Sequence, residues 1–289
     1  MKVSGFSFIR NAEKFDYPIV EALQSILPLC DDVVVAVGKS NDNTRDLVAA
    51  VSPKIRIVDT EWNDALREGG RVLAEETNKA LDAVSADSDW ALYIQGDEVL
   101  HEKDHAAILA AMQRWKDDPG VEGLLFNYRH FYGSYDYVAD SRRWYRREIR
   151  AVRPEKAIRS YRDAQGFRKN GQKLWVKPVN ATVHHYGWVK DPRRQQAKQQ
   201  EFNKLWHPDH KVKNMVGEAE SFDYSGIESL TRFGGSHPAV MNPRLQRLNW
   251  KLSLDTEKKK FSLKERFLKW LEDTTGWRAG EYRNYRILR

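Results

Sequence analysis

Apolar residues in the first half of the chain fall into short runs separated by amphipathic stretches. Val3 to Ile9, Val33 to Val37, Ile55 to Val58 and Trp90 to Ile94 have the length and the β-branched and aromatic content of buried strands. Between them, Tyr17 to Leu27, Arg45 to Val51 and Arg71 to Val84 carry apolar residues at helical spacing. Pro18 is tolerated there, in the first turn of its helix. Strand and helix alternate through residue 94, which predicts an α/β fold with a mainly parallel, twisted sheet, right-handed crossovers and flanking helices. The pattern continues with a helix from His105 to Trp115, a strand from Gly123 to Tyr128 and an extended stretch from Val179 to Val189. From about 193 it is helical and polar, then irregular through 243. Ser262 to Leu271 reads as a basic amphipathic helix. This divides the chain into a main domain, 1–190, and a helical, basic C-terminal extension, 191–289.

The run Trp90 to Ile94 ends abruptly at Gln95-Gly96-Asp97-Glu98. Two adjacent carboxylates at a strand's carboxyl end are poor packing material, because burying them unpaired is costly. In open α/β sheets ligands sit at that end of the strands. A carboxylate pair there suits a divalent cation holding a phosphate-bearing ligand; the plain alternative is a solvated turn.

Composition narrows the classes. The chain has 289 residues, 41% hydrophobic and 31% charged, which describes a globular protein with a sizeable core. No stretch approaches the roughly 18 continuous apolar residues of a membrane helix. The first nine residues are too polar for a secretory signal, so the expected location is cytoplasmic. The single cysteine, Cys30, sits in an apolar segment and reads as a buried thiol. The net charge of +7 is uneven: residues 1–120 carry more acids than bases, and the surplus of Lys and Arg lies in 142–213 and 244–289. A basic second half implies an anionic partner: a phosphate, a lipid headgroup or a nucleic acid.

The order of these elements and motifs resembles the family 2 glycosyltransferases, whose nucleotide-sugar-binding fold is the Rossmann-like GT-A type. The subgroup most similar is the lipopolysaccharide core and polysaccharide transferases. Phe8-Ile9-Arg10-Asn11 resembles the family's first strand and turn. Ser40-Asn-Asp42-Asn-Thr44 resembles its loop after the second strand, and Gly69 to Asn78 its Gly-rich segment ending in Asn. Gln95-Gly96-Asp97-Glu98 stands where the family has Asp-x-Asp and a further acid. Gln95 replaces the first acid, and Val37-Gly38 replace an acidic pair common after the second strand. The resemblance implies that residues 1–100 form a nucleotide-sugar half and 101–190 an acceptor half. It implies a nucleotide pocket shaped by Phe8, Arg10, Asn11, Ser40, Asp42, Asn78 and Gln95, and a Mg²⁺ or Mn²⁺ held by Asp97. It also implies transfer, with inversion, from a nucleotide diphosphate sugar to a glycan or lipid-linked acceptor. The charge that builds on the leaving diphosphate is what such a cation neutralises.

Related transferases often complete the metal site with a late histidine. An extended His184-His185 pair points to opposite faces, and His185 is the candidate; the alternative is a histidine packed among aromatics. Candidate bases for the acceptor hydroxyl are Asp163, which lies where inverting members place theirs, Glu148 and Asp136; each can equally form a surface salt bridge. Arg142, Arg143, Arg146, Arg147 and Arg150 can hold a diphosphate or an anionic acceptor, or form a solvated face. The tail helix places Leu263, Phe267, Trp270 and Leu271 along one face, for an anionic membrane surface or for its own domain. Competing functions are a degenerate sugar-nucleotide binder and a basic protein that binds nucleic acid or another anion. Nucleic acid is not expected as a partner, since no recognised motif for it is present.

Overall fold

A computed structural model of the chain describes residues 1–66, 68–204, 212 and 219–289. Strands β1 (Val3–Ile9), β2 (Asp32–Gly38), β3 (Ile55–Thr60) and β4 (Trp90–Tyr93) alternate with helices α1 (Ile19–Ile26), α2 (Thr44–Ala49) and α3 (Arg71–Asp82). The four strands are mutually parallel in the order β3-β2-β1-β4. β1 and β2 are buried along almost their whole length, as expected where helices cover both faces of a parallel sheet.

Beyond β4 the sheet becomes mixed. A short strand β5 (Glu98–Leu100) follows the acidic turn, then helix α4 (His105–Trp115) and the long strand β6 (Gly123–Gly133). β7 (Tyr137–Ala139) turns back antiparallel to β6. β8 (Arg147–Val152) lies between β4 and β6 and is antiparallel to both. A separate antiparallel ladder, β9 (Ile158–Tyr161), β10 (Gly166–Lys169) and β11 (Gln172–Lys173), flanks α3. β12 (Trp175–Val189) runs parallel to β6 and antiparallel to β5.

The segment after 190 is built onto this body. Helix α5 (Pro192–Lys204) starts on Pro192, and the Asp191 side chain accepts from the Arg193 amide (2.9 Å). β13 (Leu230–Arg232) extends the sheet beyond β7, and β14 (Arg286–Ile287) pairs with β12. The short helix α6 (Asn242–Gln246) places Arg244 against Asp16 (2.6 Å) and Glu21 (3.0 Å). Helix α7 (Leu263–Thr275) opens on a Ser262–Glu265 capping box and closes on Gly276 in the left-handed conformation. Among the described residues no helix is long and apolar enough to cross a membrane. Cys30 is a free, buried thiol.

Candidate active site

The strand order fixes where a ligand can sit. The chain runs from β1 through β2 to β3 on one side and then crosses to β4 on the other. Its switch point therefore falls between β1 and β4, and crevices in open α/β sheets lie outside the carboxyl ends of such strands. A cavity of about 650 Å³ opens at that place. Phe8, Arg10, Asn11, Gln95, Asp97, Asp163 and His185 all line it.

Asp97 is the electrostatic centre. Its backbone carbonyl accepts from the Tyr186 amide of β12 (2.8 Å), which brings His185 and Gly187 alongside. His185 Nε2 and the Lys198 ammonium each lie 3.7 Å from Asp97 Oδ2. Gly187 is required here: a Cβ at that position would stand 2.6 Å from the same oxygen. Burial works to raise the pKa of Asp97, but its interactions with His185, Lys198 and Lys190 outweigh it and hold the carboxyl well below the usual range. Lys198 is buried, donates to the Gly187 carbonyl (2.8 Å) and is pushed below an ordinary lysine by that burial.

The hydrogen bonds of His185 decide which of its nitrogens faces the cavity. His130 Nε2 lies 2.8 Å from the Tyr145 carbonyl, which can only accept, so this nitrogen carries a proton. Burial keeps His130 neutral by holding its pKa well below normal. Its Nδ1 is then an acceptor, and His185 Nδ1–H donates to it at 3.1 Å. This leaves His185 Nε2 as the nitrogen that faces Asp97. A protein partner on the remote nitrogen is the usual arrangement of a metal-binding histidine.

The described residues hold no group of three or more His, Cys, Asp or Glu side chains placed for a metal. Asp97 and His185 are the pair that could hold a divalent cation, and its remaining positions would then fall to oxygens of a ligand, as for Mg²⁺ on phosphates.

Glu98, next in the chain, plays a different part from the one its sequence position suggests. It is fully buried and takes a two-pronged ion pair from Arg150 (2.7 and 2.8 Å) and a hydrogen bond from the Tyr128 hydroxyl (2.7 Å). The Arg150 guanidinium also stacks over the Tyr93 and Tyr128 rings. The acidic pair is thus divided: Asp97 faces the cavity and Glu98 faces the core, satisfied by an arginine 52 residues away.

Arg150 also donates to the Gln165 carbonyl (3.0 Å), and Gln95 Nε2 donates to the Ala164 carbonyl (3.1 Å). These contacts hold the loop that presents Asp163. The residues on either side, Arg162 (φ 54°) and Ala164 (φ 63°), are both left-handed without being glycine. Such strain persists only where the surroundings enforce it, and it concentrates at functional sites. Burial raises the pKa of Asp163.

The other candidates lie off the cavity lining. Ser40 accepts from the Asn11 amide (3.0 Å), and Asp42 accepts from the Lys14 amide (2.8 Å) and caps Thr44, so both brace the loop beneath Arg10 and Asn11. Asn78 accepts from the Ser160 amide (2.7 Å) and ties α3 to β9. Asp136 is exposed in the turn between β6 and β7. Glu148 is buried and accepts from Gln165 (2.8 Å) and Asn284 (3.5 Å). Of the arginines, Arg142 and Arg146 pair with Glu272, Arg143 pairs with Glu228, and Arg147 bonds Asn127. His184 is fully buried and stacked on Phe131. Sequence reasoning did not single out Trp62 or Lys198 on the cavity wall. Trp62 lies over Gly38, where a Cβ would clash with the indole nitrogen.

Burial pushes Glu148 up to about 7, against about 4.5 in the unfolded chain. The folded state therefore binds this proton more tightly. Its contribution to stability is fully present below pH 4.5 and is lost as pH rises through 7. Glu148→Gln removes the titration. The variant is expected to gain stability over wild type between pH 5 and 7.5, by up to about 3 kcal/mol, read from urea denaturation at each pH. A difference that does not change with pH would show that Glu148 is ionised throughout.

No protein-family model and no curated protein matches the sequence. Among solved structures the chain is similar to S. aureus TarS, with a TM-score of 0.39 and 16% identity over 75% of this chain and 42% of that one. The 1–349 fragment of TarS in complex with UDP gives 0.38 and 15%, over 75% and 70%. Glucosyl-3-phosphoglycerate synthase from Mycobacterium tuberculosis, in complex with Mn²⁺, UDP and phosphoglyceric acid, gives 0.30 and 19%, over 45% and 43%. The matched part thus spans less than half of that TarS chain.

Proposed function

We propose that this protein is an inverting glycosyltransferase that moves a sugar from a nucleoside diphosphate donor to a hydroxyl of a glycan or lipid-linked saccharide, in lipopolysaccharide or polysaccharide assembly. The observation that carries the reading is the pairing, across one cavity at the switch point, of a charged carboxylate, Asp97, with a second carboxylate of raised pKa, Asp163. One is set up to work beside positive charge, the other to take a proton. Catalysis spans 1–190, and α5 of the extension closes one wall.

Arg10, Asn11 and the Phe8–Trp62 wall bind the nucleoside, and Gln95 holds the Asp163 loop. Mg²⁺ or Mn²⁺ would be held by Asp97 and His185 Nε2 and would supply Lewis-acid charge to the leaving diphosphate. Asp163 takes the acceptor's hydroxyl proton as its oxygen bonds the anomeric carbon. The bond from that carbon to the diphosphate breaks on the opposite face, its electron pair leaving on the phosphate oxygen, so configuration inverts. Desolvation brings the base nearer to neutral pH, where proton transfer is most efficient. Asp163→Asn is expected to lower transfer about 10²-fold with donor binding retained, measured as nucleoside diphosphate release. Unchanged turnover would remove Asp163 from this role.

Attachment to an anionic bilayer at the cytoplasmic face, where lipid-linked acceptors lie, is the second part of the reading. On α7, Leu263 is 84% exposed and Phe267 and Trp270 60% each. These positions recur at helical spacing beside Lys264 and Lys269, after Lys258-Lys-Lys260. An apolar stripe with a basic border is the signature of an interfacial helix. The doubly substituted Phe267→Ser, Trp270→Ser protein should bind phosphatidylglycerol vesicles at least about tenfold more weakly in co-sedimentation. Equal binding by both proteins would refute the attachment.

A further inference from the structure

Lys198 is a buried ammonium that none of the roles above requires. Its place is defined from several sides. It donates to the Gly187 carbonyl (2.8 Å), stands over the Tyr17 ring (4.8 Å) and lies 3.7 Å from Asp97 Oδ2. That oxygen is the one His185 Nε2 also faces. Lys190 lies on the same Tyr17 ring (4.7 Å), but its ammonium is turned to the Asp16 carbonyl (2.8 Å), so Lys198 is the lysine that reaches Asp97. Two cations, one built in and one added, therefore share one carboxylate.

We infer that Lys198 occupies the cation position at Asp97 in the donor-free protein and shifts to the diphosphate when donor arrives, so that divalent metal and nucleoside diphosphate bind interdependently. The inference rests on the transferase reading and goes beyond it. Like charges on a single carboxylate repel strongly in a site shielded from water. With no diphosphate present, the ammonium opposes the metal. A bound diphosphate brings enough negative charge to hold both, and Lys198 becomes a second phosphate contact. A flexible four-carbon stem lets the ammonium move while Gly187 stays in place.

The consequence has opposite signs for metal and for nucleotide, which a merely structural lysine would not produce. Mn²⁺ binding is read by electron paramagnetic resonance on wild type, Lys198→Met and Lys198→Gln, with Asp97→Asn as control. Isothermal titration with UDP, GDP, CDP and dTDP is run with and without Mn²⁺. In wild type, Mn²⁺ alone is expected to bind weakly and to tighten when the nucleotide that binds is added. In both Lys198 variants, Mn²⁺ alone should bind at least about tenfold more tightly, while metal-free nucleotide binding weakens and the mutual tightening shrinks. Gln retains a donor for the Gly187 carbonyl, so agreement of the two variants separates charge from packing; circular dichroism confirms that they fold. Wild-type Mn²⁺ affinity in both variants, with wild type still binding metal and nucleotide, overturns this inference and leaves the transferase reading standing. If wild type and Asp97→Asn alike bind neither Mn²⁺ nor any of the nucleotides, both fall.

Discussion

Asp97→Asn is expected to reduce sugar transfer by about 10³-fold while the protein remains folded. The change swaps an anion for a neutral side chain of the same shape, so the test is of charge and not of packing. In the native site Asp97 is held ionised by the surrounding positive groups, against its own burial. With the charge gone, His185 Nε2 alone remains of the proposed cation-binding pair, and Lys198 loses its carboxylate. Both effects act on the leaving diphosphate, where negative charge builds in the transition state, so kcat should fall more than KM rises. Asp97 makes its hydrogen bond to β12 through its backbone carbonyl, while its side chain lies 3.7 Å from both His185 and Lys198. The melting temperature of the variant without ligand should therefore fall by the loss of these ion pairs, with a single cooperative transition retained. Steady-state release of nucleoside diphosphate, beside a thermal melt, checks both halves; turnover within a few-fold of wild type would remove Asp97 from the chemistry.

Arg150→Met is expected to destabilise the fold by about 3–5 kcal/mol. The guanidinium is 1% exposed and the Glu98 carboxylate 0%, so the single substitution leaves a buried, uncompensated charge. It also releases the Gln165 carbonyl, and with it one anchor of the loop that carries Asp163. Replacing both Glu98 and Arg150 by Met should recover most of the lost stability, since apolar residues of similar volume often replace a buried pair at little cost. The double variant should nonetheless stay poor in transfer, because Gln165 and Gln95 lose partners on both sides of the site. Urea denaturation of the three variants gives the comparison. A single variant within about 1 kcal/mol of wild type would mean that water reaches the pair.

The parts of the fold legible in the sequence are those with strong local patterns. β1, β2 and β4 read as continuous apolar runs because both of their faces are buried. α4 and α7 show clean helical spacing, and the Ser262–Glu265 cap of α7 is itself a local motif. Strand β8 and the ladder β9–β11 were not read: Arg147-Glu-Ile-Arg150 looks like a charged surface, yet from residue 148 on it is buried between β4 and β6. The reason is the Glu98–Arg150 pair, whose members are too far apart in sequence for either to signal that the other neutralises it. The same blindness made the arginines of 142–150 look free to hold a ligand, although four of the five meet carboxylates of this chain.

At the site, the turn after β1 and the Gly96-Asp97 turn lie at strand ends, where an apolar run stops and leaves a mark, and His185 stands in an aromatic stretch within β12. Lys198 leaves none. It lies on α5, whose sequence Pro-Arg-Arg-Gln-Gln-Ala-Lys-Gln-Gln is polar all round, so the one lysine that turns inward to Asp97 looks like its neighbours. Asn78, which the family resemblance placed near the nucleotide, accepts from the Ser160 amide through its side-chain oxygen.

The most direct test of the central claim is a thermal-shift series with UDP, GDP, CDP and dTDP and their sugars, with and without Mn²⁺, on wild type and Asp97→Asn. A ligand that binds only the folded state must raise its melting temperature. The expected result is a rise with one nucleobase that grows when Mn²⁺ is added, and no metal-dependent rise in Asp97→Asn. A folded wild-type sample that responds to none of these ligands, or an Asp97→Asn sample that responds as wild type does, would contradict the assignment of this cavity to nucleotide-sugar chemistry.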